Sequence, residues 1–194
     1  MTEGAPVTDA AGITRCPWGA VAGPMQEYHD TEWGVPVHGE SAHFERLTLE
    51  AFQSGLSWAT ILAKRPAFRE LFDEFDVELI ARYDSARFAA LMGDARIVRN
   101  RLKIQATITN AQAAIALREE GGLADLLWSF RPDRSPEPRV AAEVPTTSAE
   151  SLALSKALKK KGFTFVGPTT MHALMEAIGL VNTHLLECHR RQAN

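Results

Sequence analysis

Residues 158–170 read LKKKGFTFVGPTT. A helical pattern capped by Ser148 runs through AESLALSKALKKK and stops at Gly162; residues 163–166 follow, and Gly167 leads into a new helix that begins at Pro168. Glycine permits the positive φ and close backbone approach that so tight a corner needs, and proline suits a first helical turn. The amides before and within the first turn of the second helix point outward together. With the helix dipole they form an anion site. Lys159, Lys160 and Lys161 lie just upstream, with Lys156 a turn earlier. Phe163, Phe165 and Val166 are expected to tuck the corner into the core.

Two readings of the corner stay open. One is an ordinary turn between helices with a solvated lysine face. The other looks like a helix-hairpin-helix element, which grips a run of DNA phosphates through backbone amides without reading bases. In that reading Lys160, Lys161, Gly162, Val166, Gly167 and Thr169 face the DNA. The lysine cluster and the first-turn proline favour it.

The rest of the chain agrees with an all-α fold. It has 194 residues, 45% of them hydrophobic, enough for one globular domain or two packed lobes sharing a core. Apolar residues recur at helical spacing in SAHFERLTLEAFQSG, with Ser41 as cap and Gly55 as stop. A helix capped by Ser57 is expected to stop before Pro66, where PAFRELFDEF starts another. Asp76 and Ser85 cap two short helices, the second closing at Gly93. The longest run, NRLKIQATITNAQAAIALREEGG, ends at paired glycines. LADLLWSF is a further helix, RPDRSPEPRVAAEVPTT a surface connection, and PTTMHALMEAIG closes at Gly179. Residues 1–14 read as a disordered leader and 15–190 as the helical domain, with the hairpin at about 162–168. No apolar run is long enough to span a membrane. The start lacks a signal-peptide layout, so the cytoplasm is expected. A net charge of −3 argues against a uniformly basic nucleic-acid binder, though a local basic patch is compatible with it.

Only two cysteines occur. Cys188 lies four residues after His184, which would share one face of a terminal helix. Cys16 and His29 lie near the other end. Two sulfurs and two imidazoles would complete a tetrahedral structural zinc site that clips the two ends of the chain together. The alternative is chance spacing and isolated buried thiols.

CPWG, YHDTEWGVP, LEAFQSGLSW, ALSKALKKKGFTFVGPTT and GLVNTHLLEC, in this order from Cys16 to Cys188, resemble the 3-methyladenine DNA glycosylase I family. The resemblance implies a helix-hairpin-helix glycosylase fold whose termini are joined by one structural zinc on Cys16, His29, His184 and Cys188. It implies a monomeric enzyme that flips 3-methyladenine out of double-stranded alkylated DNA and cuts the N-glycosidic bond. The family's base-pocket glutamate falls on Glu50, and its pocket aromatics on Trp18, Tyr28, Trp33 and Trp58. Met25 stands where the family often has tyrosine, which implies a differently shaped wall.

For chemistry, a methylated purine is cationic. Aromatic faces attract it, and the Glu50 carboxylate complements its charge. Such a base leaves neutral and needs little push. No Asp occurs beyond Asp133 and no Lys beyond Lys161, so neither a catalytic aspartate after the hairpin nor a Schiff-base lysine is expected there. Glu176 reads as the polar face of its helix. Gly55 and Leu56, at a helix junction, are candidates for a wedge that fills the gap left by the flipped nucleotide. A zinc-held DNA-binding module without catalysis is the competing reading; a zinc hydrolase is disfavoured because four ligands leave no position for water.

Overall fold

The computed structural model describes residues 4–192. Nine α-helices lie among them: α1 (Pro24–Thr31), α2 (Glu40–Gln53), α3 (Trp58–Leu71), α4 (Val77–Ile80), α5 (Ser85–Gly93), α6 (Arg101–Leu117), α7 (Gly122–Trp128), α8 (Ala149–Lys160) and α9 (Pro168–Ala177). α2 is central and packs on α3, α6, α7 and α9. One continuous apolar cluster, including Phe44, Leu47, Phe52, Phe68, Leu154 and Met175, joins these helices. No described helix is long and apolar enough to cross a membrane.

The corner at residues 158–170 is built as its residues dictate, with one exception. Ser148 and Ser151 form a reciprocal cap, with Ser151 N–H donating to Ser148 Oγ at 3.1 Å and Ser148 N–H to Ser151 Oγ at 2.9 Å. Gly162 takes φ +91°, which ends α8. Two polar side chains clasp the turn: Ser155 Oγ donates to the Val166 carbonyl at 2.6 Å, and Asn110 of α6 exchanges hydrogen bonds with the backbone of Thr164 at 2.8 and 3.0 Å. Phe163 and Val166 are buried as expected. Phe165 is not: it adopts φ +57° and is 38% exposed. The left-handed backbone at Phe165, between exposed Thr164 and buried Val166, directs its side chain away from the core.

Other boundaries differ from the sequence expectation for local reasons. α3 runs through Pro66, which lies on the helix's exposed face, where solvent can reach the carbonyl left without a donor. Gly39, not Ser41, precedes α2, and Asp84, not Ser85, caps α5 by accepting from Arg87 N–H at 2.8 Å. The segment read as a disordered leader holds a short antiparallel pairing, Val7–Thr8 against Thr14–Arg15. Asp9 closes its turn by accepting from the amides of Ala11 and Ile13, and Arg15 bridges Asp9 to Asp30. Residues 1–3 lie outside the described residues. Among the described residues no further helix follows α9: residues 180–190 run as turns, bends and irregular backbone. The shared helix face expected for His184 and Cys188 is therefore absent.

Candidate functional site

Two neighbouring residues of α1 point to two different places. Successive helical side chains diverge by roughly 100°, so Tyr28 turns toward α2 and α3 while His29 turns toward the chain ends. Both are buried.

On the His29 side, four donor atoms converge. Cys188 Sγ lies 3.4 Å from His29 Nε2 and 3.5 Å from His184 Nδ1, and Cys16 Sγ lies 3.7 Å from His184 Nδ1. All four residues are buried. Bond lengths of about 2.3 Å to sulfur and about 2.05 Å to nitrogen would put tetrahedral S···N edges near 3.6 Å. The cluster thus has the spacing to hold a metal ion. His29 Nδ1 is 2.7 Å from Asp30, which also receives Arg15, so the ring is oriented from behind. Burial alone would raise the Asp30 carboxyl; hydrogen bonds from Arg15, His29 and His189 overcome it and hold Asp30 below the usual carboxylate range. The i, i+4 pair meets through turns: Leu185 N–H donates to Cys16 Sγ at 3.4 Å, and Cys188 N–H to the Leu185 carbonyl at 2.8 Å.

On the Tyr28 side lies a cavity of about 280 Å³ lined by Trp18, Met25, Tyr28, Trp33, Glu50, Gln53, Trp58, Ala173 and Glu176. Every pocket residue expected from the sequence is among them. The Tyr28 and Trp58 rings lie 5.3 Å apart at 43°, and Trp18 meets Trp33 edge-on at 5.0 Å. Glu50 is 6% exposed and its carboxyl makes no hydrogen bond to another described residue. Tyr28 Oη and Trp58 Nε1 are buried and also lack partners. Buried polar groups are ordinarily satisfied; here a carboxyl, a hydroxyl and an indole N–H share one aromatic cavity with their hydrogen-bonding capacity unspent. Burial, then the nearby Glu176, pushes the Glu50 carboxyl up to about 8, with Arg46 opposing. Arg46 is itself tied to Glu32 at 2.7 Å and lies over the Tyr28 ring.

Glu176 corrects the sequence expectation. It is not on a solvated helix face: α9 packs against α2, and the Glu176 side chain is 14% exposed within the cavity wall. It also lines an adjoining cavity of about 390 Å³ that shares Trp18 and Trp33 with the first. Gln53 and Ala173 were likewise not anticipated. A carboxamide three residues after Glu50 on a helix was the available signal for Gln53; Ala173 offers none.

The expected DNA-facing residues split. Gly55 takes φ +81° and Leu56 is 38% exposed at the α2–α3 junction, at the rim where Gln53 lines the cavity. Lys103 Nζ holds this junction from α6, donating to the carbonyls of Phe52 at 2.8 Å and Ser54 at 2.6 Å. At the hairpin, Lys160 is exposed and forms no ion pair among the described residues, whereas Lys161 is bridged to Glu120. Thr169 is exposed, Val166 buried, and the amides of residues 165–167 have no acceptor among the described residues.

Residues 18–191 match the methyladenine glycosylase family model. The chain is 42% identical to the DNA-3-methyladenine glycosylase of Haemophilus influenzae, over 90% of this chain and 96% of that protein. It is 42% identical to DNA-3-methyladenine glycosylase 1 of Escherichia coli K12, over 91% and 96% respectively. Among solved structures it is similar to a variant of 3-methyladenine DNA glycosylase I in complex with 3-methyladenine, with a TM-score of 0.85, 33% identity, and coverage of 91% of this chain and 97% of that one.

Proposed function

The chain belongs to the methyladenine glycosylase family and is an enzyme, a hydrolase of N-glycosyl bonds, and we propose from this that it flips 3-methyladenine out of double-stranded alkylated DNA, as a monomer, and releases it without lyase activity. The observation that carries the reading is the Glu50 carboxyl, buried without a hydrogen-bond partner in a cavity walled by tyrosine and tryptophan. A neutral apolar ligand would leave that carboxyl unsatisfied. A cationic purine with an amino edge would satisfy it, and the aromatic rings would add roughly 0.5–2 kcal/mol each.

The steps follow from these groups. The hairpin amides and Lys160 take the phosphate backbone, as a helix-hairpin-helix element does. Leu56, on its Gly55 turn, enters the stack and fills the space of the extruded nucleotide. The purine enters between Tyr28 and Trp58, its amino edge toward Glu50. Its C1′–N9 bond breaks with the electron pair passing to the base, which leaves neutral. Water adds to C1′ and loses a proton to solvent. Trp18, Trp33 and Met25 close the wall. No lysine is among the residues that line the cavity, so a Schiff base to C1′ has no amine there.

The four-ligand cluster is read as a structural zinc site, with Cys16, His29, His184 and Cys188 holding one ion that ties residue 16 to the C-terminal turns. Four protein ligands leave no open position, so its contribution is to the fold. Gly19 gives a specific check. A β-carbon there would collide with the His29 ring, so Gly19→Ala displaces one ligand. Purified Gly19→Ala is expected to carry less than half the zinc of the parent protein, measured by inductively coupled plasma mass spectrometry. Equal zinc in both would remove His29 from the ligand set.

The function itself is tested with DNA alkylated by a methylating agent. Free 3-methyladenine should appear in the supernatant, quantified by chromatography, with the strand left uncleaved at the abasic site until alkali is added. DNA binding without released base would leave only a binding module.

A further inference from the structure

Glu50 is not the only carboxyl in the cavity. Glu176 enters the same space from α9 as Glu50 enters from α2, and the charge of Glu176 acts on Glu50. Thr183 Oγ1 donates to Glu176 Oε1 at 2.5 Å, and His172 Nε2 is 4.0 Å from the same oxygen. The second oxygen has no partner among the described residues. Around Glu176 stand Glu50 on α2, His172 on its own helix, Tyr28 on α1 and Thr183 in the C-terminal turns, while Arg46 on α2 acts on Glu50. None of these is a cation bonded to it at neutral pH: burial lowers the proton affinity of His172, and Arg46 is tied to Glu32. A buried carboxyl pair without a bonded cation is costly to ionise. What would relieve it is a positive charge delivered by a ligand.

We propose that Glu176 is a second substrate-facing carboxyl, so that a cationic purine is met from α2 by Glu50 and from α9 by Glu176, and the pair sets the preference for charged over neutral bases. The inference rests on the purine reading of the cavity. The charge of a methylated purine is delocalised over both rings, so two carboxyls on different walls can complement it where one reaches only an edge. Burial leaves Glu176 at about 7 and Glu50 at about 8, so an arriving cation draws both toward ionisation near neutral pH. A neutral purine gains nothing from that second ionisation.

The test uses a permanent cation, 3,9-dimethyladeninium, in which a methyl group replaces the sugar, and its neutral counterpart 9-methyladenine. Binding to the full-length protein is followed by tryptophan fluorescence, since Trp18, Trp33 and Trp58 line the cavity. Glu176→Gln keeps an oxygen that accepts from Thr183 and removes only the charge. It should weaken the cation about 10-fold and change the neutral purine less than twofold. Glu176→Met, which keeps the side-chain length without a polar atom, should weaken the cation at least as much. Equal losses for both ligands, no loss for either, or failure of both variants to fold would each overturn the proposal and assign Glu176 to the fold. If the parent protein binds neither ligand, the purine reading itself fails, and that outcome is distinct from all three.

Discussion

Glu50→Gln lowers the single-turnover rate of 3-methyladenine release by about 10- to 100-fold, while affinity for DNA carrying an abasic site stays within twofold. The magnitude comes from one hydrogen bond to a charged group, worth about 1.5–3 kcal/mol where the partner is buried. The separation follows from geometry: Glu50 lies inside the cavity, whereas Leu56 and the hairpin amides lie outside it. Equal loss of base release and abasic-site affinity would contradict the assigned role. The variant has a second signature in stability. Glu50 binds its proton more tightly in the folded protein, at about 8, than at the ordinary 4.5 of the unfolded chain. The folded state is favoured below pH 4.5, and that advantage is lost as pH rises from 4.5 through 8. Glutamine does not ionise, so the variant should decline less in denaturation midpoint over this range. A group that impairs stability at working pH yet is needed for base release fits a functional residue better than a structural one.

How much of this was legible from the sequence depends on the kind of information each residue carries. The α8–α9 corner was readable because its determinants are local: Ser148 caps the helix it precedes with its own side chain, and Gly162, Gly167 and Pro168 act through their own backbone. Asn110, which clasps Thr164 from α6, could not be read, because nothing near residue 110 refers to residue 164. Phe165 was misplaced for a related reason. Its apolarity argues for the core, and only the backbone conformation of the turn sends it outward. Glu176 shows the limit most clearly. Helical periodicity says which side chains share a face, but not that the face opens on a cavity shared with Glu50. The Cys/His cluster was legible from residue type and motif but not from secondary structure, since His184 and Cys188 meet through turns and not on a helix.

That cluster sets the other large effect. Cys188→Ser should abolish stoichiometric zinc binding, because a neutral serine hydroxyl is a poor substitute for thiolate. Its consequence for the fold is set by chain length. Cys16 and His184 are 168 positions apart, so an ion between them closes nearly the whole chain. A covalent link over such a loop stabilises by roughly 4–5 kcal/mol in the chain-entropy account. A loss of about 3–5 kcal/mol is therefore expected, seen as a fall of about 10 °C in melting temperature for a domain of this size. Adding a strong zinc chelator to the parent protein should give a similar fall and should leave the serine variant unmoved. The effect on chemistry should be smaller. Trp33 packs edge-on against His184 at 4.6 Å and Trp18 against His29 at 4.9 Å, so the ligands buttress one wall of the cavity. Glu50 and Trp58, on α2 and α3, are not members of the cluster. Normalised to folded protein, base release by Cys188→Ser should stay within about threefold of the parent, the residual loss falling on substrate affinity through Trp18 and Trp33. A serine variant with unchanged melting temperature and no response to chelator in either protein would show that the buried thiols and imidazoles hold the ends together without an ion.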